Sequence, residues 1–221
     1  MTRRAGWLRA AVATVALFLA VAGSVGGPVG SAVAAKTQRP IATAPFTAPT
    51  DVALADTPPP WALPANARPY VEAAGLTVLG EEQLAVHYHA HLDVIDASTG
   101  TGAKVTVPAG IGFEVSNGKV TGLTVLHTHD TSGVIHIESA ANKPYTLGQV
   151  FTEWGVALDA GQVGGLHADA THALKAYVNG RLFSGDPATI KLQRHLEIAL
   201  WYGPSDQTPK VPSSYRFPAG L

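Results

Sequence analysis

The strongest constraint on this chain is the alternation from Leu84 to Ile95. Leu84, Val86, Tyr88, Ala90, Leu92 and Val94 fall on one side, and Ala85, His87, His89, His91, Asp93 and Ile95 on the other. A period of two is that of a β-strand. The apolar side demands a core, and the opposite side carries three imidazoles. Along a strand these lie ~6.5–7 Å apart, with ~13 Å between the outer two. Neighbours can share an ion, but three in a row cannot. The triplet therefore either gives a pair to one metal site and keeps the third behind it, or spans two sites. A merely solvated face would more naturally use Thr, Lys or Glu.

A second stretch answers the first. From His127 to Glu138 the chain reads as two short strands around a turn at Asp130 to Gly133. Asp, Ser and Gly form turns through side-chain hydrogen bonds and freedom in φ. Closing the hairpin there pairs His127 with His136 and Thr128 with Ile135. His127 and His129 leave one face, His136 lands opposite His127, and Glu138 follows two residues on. His87, His89, His91, His127, His129 and His136 are thus the candidate metal ligands. Asp130 and Glu138 are candidates for orienting ring N–H groups or for a general base. His195, just before the last strand, is an auxiliary candidate expected near His87. His167 and His172 sit at no useful spacing.

The 221-residue chain contains no cysteine, and its only methionine is Met1. Thiolate zinc sites, iron–sulfur clusters, redox thiols and blue-copper centres are excluded. Any ion must be held by imidazole and oxygen, which favours zinc or copper as a divalent transition metal. A formal charge of -1 with no basic cluster beyond the N-terminus gives no nucleic-acid footprint.

The ends read differently from the middle. Arg3, Arg4 and Arg9 precede an apolar run from Ala10 to Ala22, and small residues around Ala32 to Ala35 fit a signal-peptidase site. Residues 1–35 are therefore expected to be a signal peptide or a retained membrane anchor, which makes the protein extracytoplasmic. Residues 36–74 are Pro- and Ala-rich and are expected to be a linker. The expected domain is 75–203, and 204–221 is expected to be an irregular tail.

Within the domain, Ala103 to Val107 suggests a second strand, Lys119 to His129 a third and Val134 to Glu138 a fourth. Thr146 with Gln149 makes a capping box. Leu147, Val150, Phe151 and Trp154 form a core-facing stripe that ends at Gly155. Leu174 to Val178 and Arg181 to Phe183 flank Asn179-Gly180, a strong hairpin signal. Leu196 to Tyr202 is a final strand, uncharged after Glu197 and so expected to be central.

With residues 111–140 set aside, the order hairpin, helix, hairpin, final strand resembles the ubiquitin-like β-grasp. The resemblance implies an α+β, mainly β fold with one short helix (146–154), parallel first and last strands and an inserted His-bearing hairpin (120–138). The alternative is a β-sandwich or cupin-like barrel. The cupin likeness is superficial, because Glu138 comes too late and the glycine framework is missing. The runs His-Tyr-His-Ala-His-Leu (87–92), Leu-His-Thr-His-Asp-Thr-Ser-Gly-Val-Ile-His-Ile-Glu-Ser (126–139) and Tyr-Thr-Leu-Gly-Gln-Val-Phe-Thr-Glu-Trp-Gly (145–155) together resemble an uncharacterised group of exported bacterial and archaeal His-rich domains. That likeness covers about 84–203, implies an extracytoplasmic domain and carries over no catalytic residue.

Three functions are compatible with these residues. The first is an exported metal-binding protein for acquisition, buffering or delivery. The second is a metal-dependent hydrolase or hydratase with carbonic-anhydrase-like chemistry, or an oxygenase, at a three-His site. The third is a metal-free interaction domain whose histidines sense pH.

Overall fold

The computed structural model describes residues 40–221, so the expected targeting segment lies outside the described residues. The elements in chain order are α1 (Arg68–Ala73), β1 (Val86–Asp96), β2 (Ala103–Val105), β3 (Phe113–Ser116), β4 (Lys119–Leu123), β5 (Leu126–His127) and β6 (Val134–Ser139). They continue with α2 (Leu147–Trp154), β7 (Gln162–Val163), β8 (Leu166–His167), β9 (His172–Val178), β10 (Arg181–Phe183) and β11 (Leu196–Pro204). No helix among the described residues is long and apolar enough to cross a membrane.

The fold is α+β and mainly β. Its principal sheet runs β10-β9-β11-β1-β6-β5, with β2 pairing β1 beyond β6. β1 and β11 are parallel and adjacent, Ala90 opposite Leu196, while the other pairings in this sheet are antiparallel. That is the expected relation of first and last strands. The sheet is open, so the described residues form neither a sandwich nor a cupin-like barrel.

Alternation decides which way each strand faces. Ala90, Leu92 and Val94 of β1 join Ile135 and Ile137 of β6 and Ile198 and Leu200 of β11 in one core with α2. The other face carries the histidines. α2 forms as its sequence dictates. The Thr146 hydroxyl accepts from the Gln149 N–H (3.3 Å), and the Gln149 side chain accepts in return from the Thr146 N–H (3.0 Å). Gly155 closes the helix at φ 75°. Asn179 and Gly180 both take positive φ, 50° and 72°, as a two-residue hairpin requires.

Two expectations need correction. The stretch expected as a single third strand, 119–129, is broken into β4 and β5. The Thr124 hydroxyl donates to the Leu126 carbonyl (2.6 Å) and accepts from its N–H (3.2 Å), turning the backbone out of the ladder. Gly112, at φ +75°, lets a neighbouring loop in: a Cβ there would lie 2.7 Å from the Thr124 hydroxyl.

The second correction concerns 36–74. From residue 40 this stretch packs on the domain. Ala44, Trp61, Val71 and Ala74 are buried. Trp61 meets Trp154 edge to face, with ring centroids 5.6 Å apart, and its indole N–H donates to the Thr57 carbonyl (2.7 Å). The Gln149 amide donates to the Ala74 carbonyl (3.0 Å). α2 is thus covered on the side away from the sheet. Isolated anchors in irregular chain carry no period, which is why composition alone reads as a spacer. The segment 205–221 holds no helix or strand, yet Tyr215 stacks on His91 and Phe217 on His195.

Replacing Trp61 by Ala is expected to destabilise the protein by ~3–5 kcal/mol, the cost of emptying a large aromatic site in a core. Denaturant unfolding measures this, and a change below ~0.5 kcal/mol would return the segment to the status of a spacer.

Candidate metal centre

Strand register assembles the site. In the β1–β6 ladder His89 faces His136 and His87 faces Glu138; in the β5–β6 pair His127 faces His136. His136 therefore has an imidazole on each side. Directly opposed residues have Cβ atoms ~4.5–5.5 Å apart, close enough for ring nitrogens to converge. His129 comes from the turn after β5, and its ring centroid lies 4.4 Å from that of His136 and 4.8 Å from that of His127.

Two overlapping groups result: His87, His89, His136 and Glu138, and His127, His129, His136 and Glu138. In each, the ligand atoms lie within 4.8 Å of one another. These buried His/Glu groups can hold a metal ion. In the first, His89 Nε2 is 3.1 Å from both His87 Nε2 and His136 Nδ1. Glu138 Oε1 is 3.2 Å from His136 Nδ1 and 3.3 Å from His87 Nε2. A tetrahedral ion with bonds of ~2.0–2.1 Å separates its ligand atoms by ~3.3 Å. Four of the six separations among these atoms are already at that spacing, and all lie within 4.8 Å.

The ring nitrogens are prepared as acceptors. His127 Nδ1–H donates to the Thr124 carbonyl (2.9 Å). A carbonyl can only accept, so the proton is fixed on Nδ1 and the lone pair on Nε2. That Nε2 is buried without a protein partner, as is Glu138 Oε2. Burial, followed by the neighbouring rings of His136 and His87, holds the His89 pKa down at about 4. Burial, with His129 and His87, lowers His136 to about 4 as well. His127, also lowered to about 4, is dominated by burial. At neutral pH all three are neutral and free to donate lone pairs. The cluster reaches solvent at its two ends, where the His87 and His129 side chains are 38% and 44% exposed.

Three expected site residues stand elsewhere. His91 belongs to a separate buried group with Asp93 and Glu197. Its Nδ1 faces Glu197 Oε2 (2.8 Å) and its Nε2 faces the Ser132 carbonyl (2.9 Å), so neither nitrogen points a lone pair at the cluster. Spacing is the reason: His91 is four residues from His87, and β6 offers Val134 opposite it. His195 is opposite His89 rather than His87, its N–H donating to the His89 carbonyl (2.7 Å), but its ring is exposed and stacked on Phe217. Asp130 caps the turn by accepting from the Ser132 N–H (2.8 Å), and the Ser132 side chain, followed by that N–H, lowers its pKa. Glu138, expected as an auxiliary group, instead lies among the ligand atoms.

Sequence reasoning missed Glu153. Its carboxyl is buried on α2 with neither oxygen hydrogen-bonded, and burial pushes its pKa well above the usual carboxylate range. Glu153 falls beside the apolar stripe rather than on it, so it reads as exposed until the cover from 40–74 is known.

Fold and site together define a mainly β, α+β domain carrying a His/Glu cluster competent to hold a divalent metal. No protein-family model matches the chain, and neither a curated protein nor a solved structure does.

The lowered histidine pKa values set a pH dependence for the metal-free protein. Between about pH 4 and pH 6.5 the unfolded chain binds protons at His89, His127 and His136 that the folded chain does not. Their contribution is intact above pH 6.5 and is lost as pH falls to about 4. Thermal unfolding of apoprotein across this range is expected to show Tm falling steadily over the window and more weakly in a His89→Ala variant. A Tm independent of pH from 7 to 4 would contradict it.

Proposed function

We propose that the protein is an exported metal-binding protein that ligates zinc or copper through strand histidines and serves metal acquisition, buffering or delivery. One observation carries the reading: His87 Nε2, His89 Nε2, His136 Nδ1 and Glu138 Oε1 form a closed ring of ligand atoms with successive separations of 3.1–3.3 Å. Protons alone satisfy this arrangement poorly. Each ring nitrogen offers one proton or one lone pair, while His89 Nε2 has two nitrogen neighbours at 3.1 Å. A cation at the centre satisfies all four atoms at once. Imidazole nitrogen with one carboxylate oxygen suits zinc and copper(II) and is too nitrogen-rich for calcium or magnesium. An extracytoplasmic address rests on the N-terminal sequence: the basic Arg3, Arg4 and Arg9, then the apolar run to Ala22.

Calorimetric titration of metal-free full chain with zinc and with copper(II) tests this reading. Tight binding of at least one of them is expected. His89→Ala is expected to weaken it by more than the ~10–100-fold that loss of an outer partner costs, and His195→Ala to leave it unchanged. Affinity no better than millimolar for both ions would sink the proposal and favour the pH-sensing alternative.

A second reading, a metal-dependent hydrolase or hydratase, draws on a cleft of about 970 Å³ lined by His87, Tyr88, Lys191 and Arg194. That size is right for a small ligand, and the lining cations suit an anionic one. On this reading the zinc-loaded chain hydrolyses an activated ester faster than free zinc does, and His89→Ala abolishes the excess. Equal rates for chain-bound and free zinc would leave the binding role standing alone.

A further inference from the structure

We propose that the cluster holds two divalent transition ions, bridged by Glu138. This rests on the metal-binding reading above and adds to it the number of ions and the donors of each. A tetrahedral ion takes four protein donors, whereas five imidazoles and one carboxylate converge here. With His87, His89, His136 and Glu138 Oε1 on the first ion, two imidazoles remain.

Lone-pair accounting then assigns the second ion. A neutral imidazole has one lone pair, so His136, committed through Nδ1, has none to share. A carboxylate has two oxygens. Glu138 Oε1 faces the first group, while Oε2 is buried with no protein partner. His127 Nε2 is also buried and unpartnered, with its lone pair fixed by the Nδ1–H bond to Thr124. It lies 3.9 Å from Glu138 Oε1, at the near edge of the same carboxylate. Two buried acceptors without donors, on side chains that approach to 3.9 Å, are a costly arrangement unless a cation satisfies both. His129, whose ring is 4.8 Å from that of His127, supplies the third donor.

The two ions differ in what they can do. The first is saturated by four protein groups. The second has His127, His129 and a Glu138 oxygen, which leaves its fourth position to solvent or to the exposed Glu82, whose Oε1 lies 3.8 Å from His129 Nε2. A carboxylate bridge holds such ions ~3.5–4 Å apart, the separation of two-metal centres. The saturated ion is suited to organising the β1–β6 pair, and the open one to taking a water or an anionic ligand.

The test is stoichiometry with a magnetic readout on the full chain. Metal-free protein is loaded with copper(II), bound metal is counted after gel filtration, and the electron paramagnetic resonance signal is followed at each equivalent. Two ions per chain are expected, the second equivalent diminishing or broadening the signal of the first through coupling. The double variant H127A/H129A is expected to bind one ion with an uncoupled signal, and H87A/H89A likewise. The coupled signal of the unaltered chain needs no variant to fold, so misfolding of either double variant leaves the test intact. One ion per chain with all six residues present overturns the two-ion assignment while leaving metal binding standing. A second ion that persists in H127A/H129A, or two ions without coupling, also overturns it. No ion at all removes both readings.

Discussion

The site depends on one register. β6 pairs with β1 so that His136 falls opposite His89 and Glu138 opposite His87. A slip of one residue would turn His136 and Glu138 into the core and bring Ile135 and Ile137 out. The apolar residues therefore enforce the register that the histidines need. Ile135 and Ile137 are fully buried beneath the sheet, and their burial holds the donors on the opposite face. Core and site are two sides of the same strands.

Gly133 fixes where that register starts. Its φ is +88°, and its carbonyl accepts from the Leu92 N–H (2.9 Å), docking the hairpin turn against β1. A Cβ at this position would overlap the Leu92 carbonyl oxygen and come 3.2 Å from His91 Nε2. The turn thereby brings Ser132 to His91, whose ring is held between that carbonyl, Glu197 and Tyr215. His91 works as a brace between β1, β11 and the final segment. This explains why three histidines in alternation supply only two donors to the cluster.

Much of this was legible in the sequence because it rests on local periodicity. The alternation over 84–95, the Asn179-Gly180 turn, the Thr146 capping box and the uncharged last strand each reflect short-range chemistry, and each has its counterpart in the fold. The pairing of His127 with His136 followed from turn length alone. What sequence could not give depends on partners distant in the chain. Thr124 breaks a strand through hydrogen bonds to Leu126 that no hydropathy pattern reports. Trp61 sits in a proline-rich stretch and finds Trp154 across more than ninety residues. Glu153 is buried because that stretch covers its helix. Glu138 and Asp130 were indistinguishable as carboxylates near histidines, and only the ladder separates them: one is opposite His87, the other caps a turn.

β11 enters the sheet between β1 and β9, although it is the last strand made. The parallel pairing of Ala90 with Leu196 spans most of the domain, and such long-range closure is slow because chain entropy is lost before contacts compensate it. During synthesis, β1 and β6 can meet while the inner edge of β1 is still bare. The imidazoles are then assembled on a half-built scaffold whose backbone is open to other strands. An ion captured at that stage would pin β1 to β6 and leave only one edge to be completed.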